Sequence, residues 1–302
     1  MSHTSKKILK HQLNQWCDHL NTNYKLHNAI RVAFHLLCCA GIYHYGLPLE
    51  GVFLLFCSYT VCMLSLTVGY HRYFAHRSFK VGRKTQFFLG FLGCVQLEGG
   101  PLAWAQIHRH HHRHSDTESD FHSPRHGLLT SHFQWLSNPK VYQQAFVPLR
   151  DFKSFPELLW LDRYNALPAI FVFIMLWLFG GLLESQIPQG PWSPSFVLFF
   201  GGILRTVMVW HGSWSVNSIC HVWGSRPHKT SDTSTNNAFI ALLTMGEGWH
   251  NNHHRQSSCA HHGSSWKEID LSYLVILLME QLNIAYNVQK ADLCETRSQS
   301  TQ

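Results

Sequence analysis

Four stretches without Asp, Glu, Lys or Arg constrain this chain more than any other feature. They are Val32–Leu49, Gly51–Tyr70, Tyr164–Leu183 and Ser185–Leu204, the first of 18 residues and the others of 20. At the helical rise per residue, about 20 such residues cross the hydrocarbon core of a bilayer. Only Glu50 separates the first two, with Gly46, Pro48 and Gly51 around it. Glu184 separates the last two, and Ile187–Pro194 is rich in Pro and Gly. Each pair therefore predicts a helical hairpin with a short turn. The fourth helix is expected to start inside the Pro/Gly segment and to continue past Arg205, which gives spans near 32–49, 51–70, 164–183 and 190–210.

The basic residues orient these spans. Five Lys/Arg fall in 1–31, twelve in 71–163 and seven in 205–302, and neither hairpin turn holds one. By the positive-inside rule both termini and the long middle segment are cytoplasmic. Buried helices of a soluble protein would not produce this partition. Charged residues are only 14% of the chain, against roughly 25% in soluble proteins. The predicted fold class is an all-α integral membrane protein, one domain over 1–302. Four transmembrane helices in two hairpins carry a cytoplasmic helical cap (71–163 and 211–288) that holds a di-metal site, and 289–302 form a tail. Thr85–Leu97 is too short to span and suits an interfacial or buried helix. Ile269–Leu282 reads as an amphipathic helix on the membrane surface. Residues 1–27 lack the shape of a signal peptide, and nine cysteines without a CxxC pair suggest a reducing compartment.

Histidine is the compositional anomaly, at 24 residues. Three clusters stand out: His71-Arg-Tyr-Phe-Ala-His76 at the end of the second span, His108-Arg-His-His111-His112, and His250-Asn-Asn-His253-His254. Positions i, i+3 and i+4 share a helix face. His108, His111 and His112 therefore make one imidazole stripe, and His250, His253 and His254 another. His71 and His76 are about 140° apart on an α-helix, which requires a bend or approach to a metal from two sides. Eight imidazoles exceed the needs of one metal and suit two. A histidine-rich metal transporter is the rival from another class. Transporters place their ligands within the spans, often with carboxylates, and no Asp or Glu interrupts a span here.

With their order and placement, the three clusters resemble the histidine boxes of membrane fatty acid desaturases, closest to the stearoyl-type delta-9 branch. The resemblance covers roughly residues 30–288. Trp214-x2-Asn217-x3-His221 and Gly246-Glu247-Gly248-Trp249 extend it. It implies nine ligands to two iron ions. His71, His76, His108, His112 and His253 would serve one iron. His111, His221, His250 and His254 would serve the other, with Asn217 acting through water. Ligating imidazoles normally donate their other N–H to a partner, and Asp116 and His122 are the candidates. Other histidines, including His110, His114, His132, His211 and His262, are expected to be neighbours of the site or surface residues.

The resemblance further implies O2 as co-substrate and a fatty acyl thioester or acyl lipid as substrate. An unactivated alkyl C–H has no acidic proton, so a metal and O2 suit the reaction where a general base does not. Hydroxylation or acetylenation on the same core is the alternative within the class. Two electrons per turnover must come from a separate donor, of ferredoxin or cytochrome b5 type, since the chain has no haem, iron–sulfur or GxGxxG motif of its own. Membrane lipid is an expected partner and nucleic acid is not. The animal enzymes carry an Arg-Asp pair at the positions of Gln106 and Ile107, and an Arg-Lys pair near Ser137-Asn138-Pro139-Lys140. This chain is therefore expected not to grip CoA in their manner. Residues expected along the acyl tunnel are Tyr59, Met63, Glu98, Trp104, Gln106 and Trp214. Met63 would shorten the tunnel, unless it fills lipid-facing space, and Glu98 stands where the animal enzymes carry glutamine.

Overall fold

The computed structural model describes residues 25–138, 141, 149, 151–152 and 154–290; Pro139, Lys140 and nearly all of the expected tail lie outside them. The architecture is helical. Four helices are long and apolar enough to cross a membrane: α1 (Lys25–Tyr45), α2 (Leu49–Ala75), α7 (Leu167–Gln186) and α8 (Pro194–His221). The remaining helices are shorter: α3 (Arg83–Cys94), α4 (Pro101–His114), α5 (Leu128–His132), α6 (Pro156–Arg163), α9 (Ala238–Leu243), α10 (His250–Arg255) and α11 (Leu271–Gln281). The all-α expectation needs one small amendment. Lys80–Val81 and Ala285–Tyr286 form an antiparallel pair, β1 and β2.

The long helices do not follow the charge-free windows, because their polar groups find partners inside the protein. α1 is already helical at Lys25, the first described residue, rather than from residue 32. Its Arg31 reaches sideways to donate to the Leu136 carbonyl at 3.2 Å, and the helix stops before Gly46, which has positive φ. α2 runs on through His71 and Arg72 to Ala75, and every residue from Ser65 onward is buried. α7 starts at Leu167, since residues 164–166 turn the chain out of α6. α8 carries Arg205 fully buried, donating to Gln96 Oε1 at 2.7 Å and to the Gly201 carbonyl at 3.2 Å. Its further extension to His221 puts Asn217 and His221 on the helix itself.

Outward-facing apolar side chains such as Leu36, Phe53, Phe56, Phe171 and Leu178 are exposed, as lipid-facing residues must be. Large aromatics fill the centre. Tyr45 packs on Phe196 and Phe199 of α8. Tyr70 and Phe74 of α2 pack with Phe152, Leu158 and Leu161 around α3 and α6. Thr85–Leu97 is realised as α3, packed along the buried end of α2. α11 is shorter than expected because Asp270 lies before it, as its N-cap, accepting from the Tyr273 amide at 3.0 Å. Among the described residues, cysteines 38, 39, 57, 62, 94 and 220 are free.

The last third of α2 is a π-helix over Ser65–Ala75. Here the amide of His76 donates to the carbonyl of His71 at 3.1 Å, an i→i+5 bond that widens the turn. This overturns the 140° expectation for His71 and His76, which assumed 3.6 residues per turn; their Nε2 atoms lie 3.1 Å apart.

The helix bearing the second histidine cluster, α4, is capped from outside. Gly100 precedes it, and Asp162 Oδ1 accepts the amides of Leu102 and Ala103, both at 2.9 Å. A Cβ on Gly100 would lie 2.3 Å from that oxygen, so the cap and the glycine require each other. Replacing Asp162 with Ala is expected to lower stability by about 1–2 kcal/mol, read as a lower midpoint in thermal denaturation of the detergent-solubilised protein.

Candidate metal centre

The three clusters and His221 converge on two points. Nε2 atoms of His71, His76, His108, His112 and His253 form a closed ring of contacts of 2.8 to 3.1 Å. Beside it, His250 Nε2 lies 3.0 Å from both His221 Nε2 and His254 Nε2. His111 belongs to the same four-residue group, and its Nε2 has no hydrogen-bond partner. These are the two sets of five and four that the resemblance implies.

The pattern itself calls for cations. A ring nitrogen carries either a proton or a lone pair, not both. In the five-membered set each Nε2 faces two others, so no arrangement of protons makes all the contacts hydrogen bonds. A metal ion accepting all five lone pairs resolves the conflict, and nitrogen-only donor sets suit iron, zinc and copper. Burial, and then the neighbouring imidazoles, push His76, His108, His112, His250 and His253 well below the ordinary 6.5. His254 falls to about 4, although Asp232 opposes the shift. The imidazoles are thereby kept neutral, as ligands must be.

Carboxylates stand behind four of the nine rings. His221 Nδ1 donates to Asp116 at 2.9 Å, His111 Nδ1 to Asp120 at 3.0 Å and His254 Nδ1 to Asp232 at 2.7 Å. His71 Nδ1 lies 2.5 Å from Glu247. Burial raises the carboxyl pKa values of Asp116, Asp120 and Asp232, but their partners prevail and hold each below the usual carboxylate range. Glu247 is also gripped by Arg72, whose Nη2 donates to Oε1 at 3.0 Å while Nη1 donates to Asp270 at 2.9 Å. Asp116 thus backs a ring as expected. His122 packs its ring against His111, with centroids 4.3 Å apart, and its Nδ1 lies 3.8 Å from Asp120. Asp120, Asp232, Arg72 and Asp270 were not anticipated, because no local spacing ties them to the rings they support. Glu247 carried a signal, as a lone acid three residues before a histidine box. Away from the site, His35, His211 and His132 form a hydrogen-bonded chain of their own.

Two cavities meet at the histidines. The outer one is walled by Leu97, Glu98, Ile107, Trp210 and Trp214, the inner one by Met63, Leu66, Thr67, Val216 and Thr244. Trp104, His108, Ser213 and Asn217 line both. Met63 is 1% exposed, which removes the lipid-facing reading. A Cβ on Gly212 would lie 2.7 Å from Met63 Cε and 2.8 Å from the Tyr59 hydroxyl, so α8 closes tightly on both side chains. Tyr59 donates to the Leu243 carbonyl at 2.9 Å and stands behind Met63 outside the cavity wall. Gln106 lines neither cavity. It lies two residues from Trp104, about 200° round α4, and is buried on another side.

Cavities with apolar walls beside two sets of imidazoles, in a protein with four helices apolar enough to cross a membrane, suit a metal-dependent membrane enzyme that handles apolar substrates. The chain belongs to the fatty acid desaturase family, whose profile matches residues 50–263. It is similar to an acyl-CoA C20 Delta5-desaturase of Anemone leveillei, 35% identical over 269 residues, covering 85% of this chain and 81% of the relative. It is likewise similar to an sn-1 stearoyl-lipid 9-desaturase of Anabaena variabilis, 39% identical over 234 residues (76% and 80%). A Delta-9 acyl-lipid desaturase 1 of Arabidopsis thaliana is 34% identical over 258 residues (84% and 80%). The protein is an enzyme that desaturates fatty acids, and the transporter reading is set aside.

Two measurements probe the centre. Glu247→Gln is expected to weaken metal retention by about 10–100-fold, read by chelator competition and metal analysis. In metal-free protein, the unfolded chain takes up protons below about 6.5 that the depressed imidazoles refuse. Stability is therefore complete above 6.5 and lost as pH falls toward 4, and the melting temperature should drop between pH 7 and 5. A flat profile would show that these imidazoles are not held neutral.

Proposed function

We propose that the protein is an O2-dependent di-iron acyl desaturase, with an acyl-CoA, carrier-protein thioester or acyl-lipid substrate and a separate ferredoxin- or cytochrome b5-type electron donor. The observation that carries this reading is the pair of cavities at the histidines, both lined by His108 and the inner one also by His71 and His250. His71, His76, His108, His112 and His253 would hold one iron. His111, His221, His250 and His254 would hold the other, with Asn217, in the wall of both cavities, placed to retain a water. Iron bound in these sets supplies the O2-dependent oxidation that removes two hydrogens from adjacent carbons.

The chain's own residues do the positioning. Apolar walls exclude water from the alkyl chain, the wall that both cavities share presents a short stretch of it to the histidines, and Met63 stops its end. The carboxylates behind the rings fix which imidazole nitrogen faces inward. The partition of Lys and Arg supports two hairpins with both termini and the active site on the cytoplasmic side, in a single domain over 1–302. The +7 charge suits an acidic electron donor and anionic lipid. Gln106 and Ile107 leave no charged pair before the second box, which favours carrier protein or lipid over CoA as the acyl carrier.

Expression in a host of known lipid composition, with mass spectrometry of total acyl chains, tests the reading. A product two hydrogens lighter is expected, and His111→Ala should abolish it. A product heavier by one oxygen would instead make the enzyme a hydroxylase. Met63→Ala should shift products toward longer chains; an unchanged length profile would mean that Met63 does not close the channel.

A further inference from the structure

The outer cavity holds an acidic side chain for which removal of hydrogen from an alkyl chain has no use. Glu98 lies in its wall and is hydrogen-bonded to residues that both cavities share. Its Oε2 accepts the Trp104 indole N–H at 3.1 Å and the Ser213 hydroxyl at 3.2 Å. Trp104 and Ser213 are two of the four residues that both cavities share. The carboxylate is therefore held by two donors where the cavities share a wall. Its other oxygen, Oε1, is buried and has no hydrogen-bond partner among the described residues.

Nothing close by satisfies Oε1. The Trp210 indole is committed to the Gln96 carbonyl at 2.7 Å. Arg31, in the wall of the same cavity, donates to the Leu136 carbonyl and lowers the Glu98 carboxyl less than the Trp104 and Ser213 hydrogen bonds do. Burial pushes the Glu98 carboxyl up to about 7, so Oε1 can present either a proton or a lone pair near neutrality. A plain alkyl chain filling the cavity would leave this oxygen desolvated and unpaired, which is strongly disfavoured. Trp104 in turn stacks on His108, with ring centres 5.0 Å apart and planes 16° from parallel. Glu98 is thus one side chain removed from the five-imidazole set.

We propose that Glu98 Oε1 is the contact for an oxygen atom carried by the acyl ligand close to the carbons presented to the histidines. The proposal rests on the acyl-desaturase reading and narrows its substrate class. The oxygen has two chemical sources. It is a hydroxyl on the chain itself, or it is the carbonyl of the ester or thioester, in which case the double bond forms near the carboxyl end and the methyl end points toward Met63.

Ligand binding to the full-length protein, followed by tryptophan fluorescence, tests this without requiring turnover, because Trp104 touches both Glu98 and the channel. The probes are a saturated acyl thioester, a series of its chain-hydroxylated analogues, and the thioether that lacks the carbonyl. At least one oxygen-bearing ligand is expected to bind about tenfold more tightly than its oxygen-free counterpart. A hydroxylated chain preferred over the plain one identifies the chain hydroxyl; the thioester preferred over the thioether identifies the carbonyl. Glu98→Leu should abolish the difference, and Glu98→Gln, which keeps a hydrogen-bonding group, should retain most of it. Equal affinities in the wild type, or a preference that survives in Glu98→Leu, would overturn the proposal. Should the leucine variant not fold, the wild-type comparison decides alone. Absence of any double bond in the expression experiment would instead overturn the desaturase reading.

Discussion

Arg72 is fully buried at the end of α2, between two carboxylates that arrive from distant parts of the chain. Glu247 precedes the third histidine cluster and Asp270 caps α11, so one guanidinium joins the first cluster, the third cluster and the last helix. Its Nη1 also donates to the Ala260 carbonyl at 2.6 Å. A buried charge with several such partners is held in one geometry, and removing one partner of such a pair typically costs about 3–5 kcal/mol. Glu247 then passes the constraint to His71 on its other oxygen. The position of the first ring of the centre is therefore set through an ion pair.

The centre is layered by charge. Neutral imidazoles lie innermost, carboxylates stand behind several of them, and buried cationic or hydroxyl groups complete the carboxylates. Asp116 shows the principle: it accepts from His221 Nδ1 and from both the amide and hydroxyl of Thr233, each at 2.7 Å. In a low-dielectric interior such a network is rigid when every member is satisfied. Glu98 differs in its place: its Oε2 accepts from Trp104 and Ser213 in the wall of a cavity rather than behind an imidazole.

Much of this was legible in the sequence. Charge-free windows announced the four long helices, and i, i+3, i+4 spacing announced two of the three histidine faces, since both depend only on the local geometry of a helix. The His71–His76 pair was misread for the same reason: nothing in those six residues signals a π-turn. Asp120, Asp232 and Asp270 were missed because they meet their partners through tertiary packing. Gln106 was placed along the channel by analogy of position, and the turn of α4 puts it on another side.

The sequence by itself determined that the chain is built from membrane-length apolar helices and carries histidines at ligand spacing, because hydropathy and helical periodicity act within one segment. Only the tertiary structure decided how nine rings divide into sets of five and four, which carboxylate backs which ring, and that Met63 and Glu98 each line a cavity beside them. Those outcomes depend on distances between segments up to nearly two hundred residues apart, such as Arg72 to Asp270, and such distances are set by packing and buried charge.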